Sequence, residues 1–394
     1  MSLDHQKGGV MSRCVIGVPK EVKPQEGRVG ITPDGVHELC ALGVEVIVET
    51  DAGKLSGFSD GDYLASGATV ASRVESIYRE ATAIVKVKEL IPEEYRLIPF
   101  LRHKVLFTYL HLAGVDPRLT VLLLEHEVTA ITYENVTRMV DGRTTFPLLV
   151  PMSKIAGTQA MRGALARYPK ERRRELEVII LGGGNVGEAA LVEALLSDVS
   201  SVAVFETAEE RRAQLEDLYR TKLSASFLPF SALNTWGRTK LTNADVVISG
   251  VMLPGGAAAP KVLTQKHFRC MRQGAYIADV SIDQGGSTAW SKVTKPGETY
   301  TRGKRGLVFS CVPNIPGSTV PREATLALTK ETFPFVALLG TSVLEYGSGG
   351  VWCALKANKD LRAGLQTYGG HVTNAFVAEK HGLQSKYQEL DRTF

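Results

Sequence analysis

The sequence predicts an α/β protein of two domains, each built on a doubly wound, mainly parallel sheet. Short β-branched runs alternate with helical patterns twice, once before residue 150 and once after residue 177. This alternation is typical of βα units on a parallel sheet. The chain of 394 residues, 44% of them hydrophobic, is also long for a single core. Two domains are therefore expected.

The first series of strands is "VIGV", "VEVIVE", "AIVKV", "VLFTY" and "VTAITYE", beginning at residues 15, 44, 83, 105 and 128. One helix in this series has recognisable ends. Thr32 can cap it, Pro33 suits its first position, and Gly43 suits the left-handed residue that follows a helix. These units predict the first sheet.

The second series is "VIILGGG", "VAVFE", "ADVVISG", "AYIADV" and "GLVFSCV", beginning at residues 178, 202, 244, 275 and 306. The charged stretch before it, residues 167–177, is expected to be a solvated connector. After about residue 318 the pattern turns helical, and these helices are expected to cover the first sheet. The predicted domains are therefore residues 1–147 with 318–394, and residues 148–317 inserted between them.

Composition narrows the class of partner. The net charge is only +4 with 22% charged residues, which favours a small-molecule ligand over nucleic acid. The five cysteines are odd in number, far apart and without a CxxC pair, so neither a disulfide framework nor a metal site is expected. No apolar run reaches the roughly 18 to 20 residues of a membrane span. We expect a soluble, cytoplasmic protein.

A glycine-rich segment, "EVIILGGGNVGEAALVEALL", follows a strand and opens a helix. Gly182 suits the tight turn, Gly184 lets the backbone approach a pyrophosphate, and Gly187 lets the helix pack closely on the strand. A glycine-rich turn without a ligand is the alternative. Because strand and helix both flank the motif, it predicts that residues 148–317 are a Rossmann domain that binds a dinucleotide.

The residue that should contact the adenosine ribose is Glu206, at the end of the next strand. A carboxylate there accepts hydrogen bonds from the ribose and repels a 2′-phosphate. NAD is thus favoured over NADP, although Arg211 and Arg212 follow closely and leave this preference open.

Four titratable residues fall at predicted strand ends, where ligands collect in open α/β sheets. They are Arg28, Lys88, His111 and Asp283. Each also has a simpler interpretation: a surface arginine, a lysine that reaches solvent, a histidine at the edge of the core and a turn aspartate. Lys88 and its neighbour Lys86 would point to the same side of a regular strand.

Together these residues suit the chemistry of a small 2-amino or 2-oxo acid. Arg28 can bind a carboxylate through two parallel hydrogen bonds. Lys88 can hydrogen-bond a carbonyl or carbinol oxygen as charge builds on it, and His111 can exchange protons near neutral pH. No serine nucleophile elbow, HExxH or P-loop pattern occurs in the sequence, so hydrolase and kinase activities have little support.

The sequence resembles the alanine dehydrogenases, within the wider group that includes the NAD-binding subunit of pyridine nucleotide transhydrogenase. The motifs that carry the resemblance run through nearly the whole chain: "GVPKEVKPQEGRVGITPDGV", "IVKVKEL", "LFTYLHLAG", "PMSKIAGTQA", "LGGGNVG", "ADVVISGVMLPGGAAAPKVLT", "DVSIDQGG", "CVPNIPGSTVP" and "GLQTYGGHVTNAFVAEKHGL". Only the glycine motif is expected in unrelated dehydrogenases.

The resemblance implies a role for each matching residue. Arg28 and Lys88 would bind the substrate, and His111 and Asp283 would be catalytic. Asn314 would lie near both nicotinamide and substrate. The cofactor contacts would be Ser153, Gly182, Gly184, Asn185, Val186, Gly187, Glu206, Val251, Leu253 and Asn314.

The activity implied by the resemblance is reversible oxidative deamination of L-alanine by NAD to pyruvate and ammonium, in a homohexamer. Other amino or oxo acid reductases are an alternative. A transhydrogenase subunit typically lacks the histidine of "YLHLA" and the aspartate of "IDQGG", and both are present here. A non-catalytic NAD-binding homologue is the third alternative. Retention of all four polar residues argues against it.

Overall fold

The chain divides into two compact units, which confirms the predicted fold class. This computed structural model describes residues 12–219, 224–234, 236–252 and 258–390. The first unit comprises Met1–Leu149 with Pro321–Phe394, and the second comprises Val150–Val320. The second unit is therefore inserted in the sequence of the first.

The first unit contains an eight-stranded sheet and a separate hairpin. The sheet order is β17-β16-β6-β5-β4-β1-β2-β3, in which β1 to β6 are parallel and β16 and β17 add antiparallel at one edge. The hairpin pairs β7 with β8. The strands are β1 (Val15–Val18), β2 (Glu45–Glu49), β3 (Thr69–Ala71), β4 (Ala83–Val85), β5 (Val105–Thr108), β6 (Thr129–Thr132), β7 (Arg138–Val140), β8 (Arg143–Thr145), β16 (Leu365–Tyr368) and β17 (His371–Val372).

The helices of the first unit include one whose ends were predicted. They are α1 (Pro33–Ala41), α2 (Asp60–Ala65), α3 (Val74–Glu80), α4 (Pro117–Glu125), α11 (Pro321–Tyr346), α12 (Gly350–Ala357), α13 (Lys359–Ala363) and α14 (Ala375–Lys380). The Thr32 side chain accepts a hydrogen bond from the amide of Gly35 and caps α1. Gly43, with φ +84°, follows the helix in the left-handed conformation. Both predicted helix ends are confirmed.

The sequence pattern predicts helices after about residue 318, but part of this segment forms strands. Strands β16 and β17 form a hairpin that extends the first sheet. Gly369 and Gly370 make its turn with φ of +53° and +79°, a two-residue conformation that favours glycine at both positions. The pattern "LQTYGGHV" carries this hairpin signal, but its strands are too short to stand out beside the neighbouring helices.

The second unit contains a seven-stranded sheet with cores on both faces. The order is β11-β10-β9-β12-β13-β15-β14, parallel except for β14. Alternate residues of β9 enter different cores, Val178 and Ile180 on one face and Ile179 and Leu181 on the other. The strands are β9 (Glu177–Leu181), β10 (Ser201–Glu206), β11 (Ser224–Pro229), β12 (Val246–Ser249), β13 (Tyr276–Asp279), β14 (Tyr300–Arg302) and β15 (Leu307–Ser310).

A close contact between two helices fixes the start of the second unit. Its helices are α5 (Val150–Leu165), α6 (Asn185–Leu196), α7 (Glu209–Tyr219), α8 (Trp236–Asn243), α9 (Gln265–Cys270) and α10 (Ile315–Thr319). A Cβ on Gly157 of α5 would lie 2.0 Å from the carbonyl oxygen of Val186 in α6. Only glycine permits this approach. Within the described residues, no helix is both long enough and apolar enough to cross a membrane.

Candidate active site

Three of the predicted site residues follow adjacent strands of the first unit. Arg28 lies in the segment after β1, Lys88 after β4, and His111 after β5. These strands are neighbours in the order β5-β4-β1 and run parallel. Since the carboxyl ends of parallel strands meet at one edge of the sheet, the three side chains belong to one edge.

Arg28 is buried and its guanidinium is bound by Glu26. The arginine Nε donates to Glu26 Oε1 at 2.8 Å and Nη2 to Oε2 at 2.6 Å. Burial by itself would raise the pKa of Glu26, but the charge and hydrogen bonds of Arg28 outweigh it and lower the pKa to about 2. Glu26 therefore holds the Nε edge of the guanidinium in a fixed orientation.

The Glu26–Arg28 pair should make the free energy of unfolding depend on pH in the acid range. The pKa of Glu26 falls from 4.5 to about 2 on folding, so the pair contributes about 3 kcal/mol above pH 4.5 that is lost as the pH falls towards 2. Urea unfolding at pH 6, 4.5 and 3 measures this loss. Glu26→Gln should remove that component of the pH dependence, whereas parallel curves for wild type and variant would contradict the prediction.

Lys86 and Lys88 have different surroundings. β4 ends at Val85, so the regular strand on which the predicted shared side depends does not extend to either lysine. Lys86 is fully buried between Glu94, at 2.9 Å, and Glu21, at 3.2 Å. Its charge is therefore compensated within the first unit. Lys86 ties the segment after β4 to Glu21 and Glu94, and Lys88 remains the candidate for ligand binding.

Lys88 lies in a charged environment shared with Arg28 and His111. Burial, and then the charge of Arg28, lowers the pKa of Lys88, against the opposing effects of Glu26 and Glu89. Burial would raise the pKa of Glu89, but the charges of Lys23 and His111 lower it. Lys23 also donates a hydrogen bond to Glu89. Arg28, Lys88 and His111 therefore form one cluster at this edge of the sheet.

His111 is held in an uncommon backbone conformation, with its side chain 41% exposed. Its φ is +46° and ψ +32°, a left-handed geometry that few residues other than glycine adopt. The His111 amide donates to Glu134 Oε1 at 2.6 Å, and the ring Nδ1 lies 3.4 Å from the same oxygen. The ring also stacks on Tyr109, with centroids 5.7 Å apart. Glu134 and Tyr109 thus fix an accessible imidazole.

The glycine segment of the second unit fits a dinucleotide pyrophosphate. Gly182 has φ +95°, and nothing lies within 4 Å of a Cβ built on Gly184. Asn185 and Val186 are the first residues of α6, whose N-terminus presents backbone amides to an anion. This is an open cradle at the carboxyl end of β9.

Glu206 and Arg211 bind the backbone of Gly183, one at its amide and the other at its carbonyl. Gly183 N donates to Glu206 Oε2 at 2.7 Å, and its carbonyl accepts from Arg211 Nε at 2.8 Å. Burial would raise the pKa of Glu206, but the amides of Ala208 and Gly183 lower it. Arg212 donates to the carbonyls of Glu206 and Thr207. Both arginines therefore have internal partners, which favours NAD at this ribose position.

Gly184 and Gly187 should respond differently to alanine. A Cβ on Gly187 would lie 1.8 Å from the Gly182 carbonyl oxygen, so Gly187→Ala should lower the free energy of unfolding by about 1–3 kcal/mol. Gly184→Ala should leave stability unchanged but weaken NADH binding, since its Cβ would enter the space for the pyrophosphate. Urea unfolding and NADH fluorescence titration check this. Equal stability of the two variants would contradict the steric argument.

The remaining predicted site residues of the second unit lie after β12, β13 and β15 and in α5. The Val251 carbonyl accepts from Ser281 Oγ at 2.6 Å. Asp283 is exposed, and its Oδ2 accepts from the amide of Asn314 at 3.2 Å. Ser153 lies in the first turn of α5. Leu253 lies outside the described residues.

Three carboxylates were not predicted from the sequence: Glu26, which binds Arg28, Glu134, which binds His111, and Asp279, which binds the loop that carries Asp283. Glu134 follows β6, the neighbour of β5, and Asp279 ends β13. Both could have been found by extending the search for charged residues to every strand end. Among the described residues there is no group of three or more His, Cys, Asp or Glu side chains arranged for a metal ion.

Comparisons with known proteins agree with this organisation. The N-terminal domain of the alanine dehydrogenase/PNT family matches residues 17–156, and its C-terminal domain matches residues 156–375. Alanine dehydrogenase from Staphylococcus haemolyticus is 37% identical, covering 94% of this chain and 96% of its own. The enzyme from Bacillus subtilis is 39% identical, with 94% and 95% covered.

Solved structures extend the comparison to the fold. An L-alanine dehydrogenase superposes with a TM-score of 0.79 at 33% identity, covering 93% of this chain and 99% of its own. A transhydrogenase from Sinorhizobium meliloti shares the fold, with a TM-score of 0.74 at 21% identity over 92% of this chain and 99% of its own. The family matches and the relatives confirm the resemblance found in the sequence, and the chain belongs to the alanine dehydrogenase/PNT family.

Proposed function

We propose that the protein catalyses the NAD-dependent, reversible oxidative deamination of L-alanine to pyruvate and ammonium. The observation that carries this proposal is the cluster of Arg28, Lys88 and His111 at one sheet edge of the first unit. A cationic pair beside an accessible imidazole suits a small amino acid. The relatives named alanine dehydrogenase support the choice of substrate.

The second unit holds the cofactor. Gly182, Gly184 and Gly187 form the pyrophosphate cradle, and Glu206 accepts hydrogen bonds from the ribose. NAD⁺ bound there supplies the acceptor for the hydride of the substrate α-carbon, whose loss leaves an iminium that water hydrolyses. The remaining cofactor contacts are assigned to Ser153, Asn185, Val186, Val251, Leu253 and Asn314.

Arg28 and Lys88 orient the substrate. The planar guanidinium of Arg28 binds the substrate carboxylate, and Glu26 keeps the guanidinium from rotating. Lys88 donates to the oxygen that develops at the α-carbon and stabilises the negative charge that forms there. Its lowered pKa lets it also release a proton more readily than an exposed lysine.

His111 and Asp283 handle the protons. The His111 ring removes a proton from the attacking water and returns one when ammonia leaves. Glu134 beside Nδ1 orients the imidazole for both steps. Asp283 stabilises the cationic amine of the substrate. The backbone amide of Asn314 donates to the Asp283 carboxylate and fixes the orientation of that carboxylate.

The same proposal includes a cytoplasmic homohexamer. The resemblance to the alanine dehydrogenases supports the hexamer, and the five unpaired thiols support a reducing compartment. Native mass spectrometry measures the number of subunits directly. A monomer or dimer at micromolar concentration would contradict the oligomer assignment without affecting the proposed reaction.

Incubation of the purified protein with NAD⁺ and a panel of small L-amino acids tests the reaction. We expect NADH formation with alanine and much less with serine, glycine or valine. Turnover of a different amino acid would show that the substrate is wrong. NADH binding without turnover of any of them would favour a non-catalytic homologue.

A further inference from the structure

A buried carboxylate at the end of β13 closes the loop that follows. Asp279 is 1% exposed. Its Oδ1 accepts from Ser281 N at 3.1 Å and from Ser287 Oγ at 2.9 Å, and its Oδ2 accepts from Ser287 N at 2.7 Å and from Ser291 Oγ. Ser281 and Ser287 are the two ends of the segment 281–287, so one side chain ties both ends together.

This loop, residues 281–287, reaches two other segments of the second unit. Ser281 Oγ donates to the Val251 carbonyl at 2.6 Å. Asp283, on the exposed part of the loop, accepts from the amide of Asn314 at 3.2 Å. The loop therefore joins the segments after β12 and β15, both of which carry proposed cofactor contacts.

The hydrogen-bond directions beneath the loop follow from the carboxylate. The Ser287 hydroxyl donates its single hydrogen to Asp279 Oδ1. Ser287 Oγ then has to accept from Ser249 Oγ, which lies 2.7 Å away at the end of β12. Two neighbouring strand ends are thus linked by an ordered chain of donors with Asp279 as its final acceptor.

We infer that Asp279 is a positioning residue for the reaction. By closing the 281–287 loop it fixes the Asp283 carboxylate, and through Ser281 it fixes the Val251 carbonyl. The inference rests on the proposed function for Asp283, whereas the effect on Val251 concerns cofactor binding alone. Asp279 itself acts only through these groups.

Three variants separate these effects. Asp279→Asn keeps the shape, but its amide nitrogen cannot accept from Ser287 N at one end of the loop, and kcat for alanine should fall about 100-fold as Asp283 loses its position. Ser281→Ala removes only the bond to Val251, so the NADH dissociation constant should rise about fivefold with kcat within about twofold of wild type. Ser291→Ala, which removes a partner outside the loop, is the matched control and should change neither quantity.

The measurements are NADH fluorescence titration, steady-state kcat and thermal unfolding for each variant. A folded Asp279→Asn enzyme with the kcat of the Ser291→Ala control would overturn the inference for Asp283. An unchanged NADH dissociation constant in Ser281→Ala would overturn it for Val251, even if Asp279→Asn fails to fold. If wild type oxidises no amino acid, the proposed function fails, and the NADH titrations still decide the second part.

Discussion

Replacing His111 with alanine is expected to lower kcat for alanine oxidation by about 10²- to 10⁴-fold, the usual contribution of a positioned general acid or base. NADH affinity should stay unchanged, because His111 is not among the proposed cofactor contacts. Steady-state kinetics and NADH fluorescence titration measure the two effects separately.

A second variant, at Glu134, tests whether the orientation of His111 matters for the same mechanism. Glu134→Gln keeps the side-chain volume and can still accept from the His111 amide, but it removes the negative charge beside Nδ1. The pH profile of kcat/KM should shift in this variant while KM for NAD stays constant. Near-normal kcat in His111→Ala would contradict the proton-transfer role altogether.

Replacing Arg28 with methionine is expected to affect both folding and substrate binding. Glu26 would be left as a buried carboxylate without its charged partner, which destabilises a protein by about 3–5 kcal/mol. In protein that remains folded, KM for alanine should rise about 100-fold or more, since the carboxylate-binding group is gone. Urea unfolding and KM measured below the unfolding temperature check both effects.

Two other variants separate the effect of Arg28 on substrate binding from its effect on stability. Arg28→Lys keeps a positive charge near Glu26 but loses the planar donor edge, so it should raise KM with a smaller loss of stability. Arg96→Met breaks an exposed ion pair with Glu75 and should change neither KM nor stability measurably. An Arg28→Met enzyme with wild-type KM would exclude Arg28 as the substrate anchor.

Strong local signals made much of the fold predictable. Thr32, Pro33 and Gly43 mark the ends of α1 by their individual conformational preferences. Alternate burial of β9 side chains on two faces matches its continuous apolar sequence. The hairpin from Leu365 to Val372 was missed because its strands are short and β16 pairs with β6, which is distant in sequence.

The candidate site was only partly predictable, because its supporting groups are identified by contact. Lys88 and His111 stand out as polar residues at the ends of apolar runs, and Arg28 as a basic residue between a strand and a capped helix. The carboxylate of Glu26 carries no such signal, since acidic residues are common in turns. Lys86 and Lys88 look equivalent in sequence, yet the end of β4 at Val85 leaves Lys86 buried between two glutamates and Lys88 half-buried.

The most direct test of the central claim is a single turnover with L-alanine deuterated at the α-carbon. The wild-type protein and NAD⁺ should yield pyruvate and a reduced cofactor that carries the deuterium, and His111→Ala should yield both far more slowly. Pyruvate formed without deuterium in the reduced cofactor, or no reduced cofactor at all, would contradict hydride transfer from alanine to the bound nicotinamide.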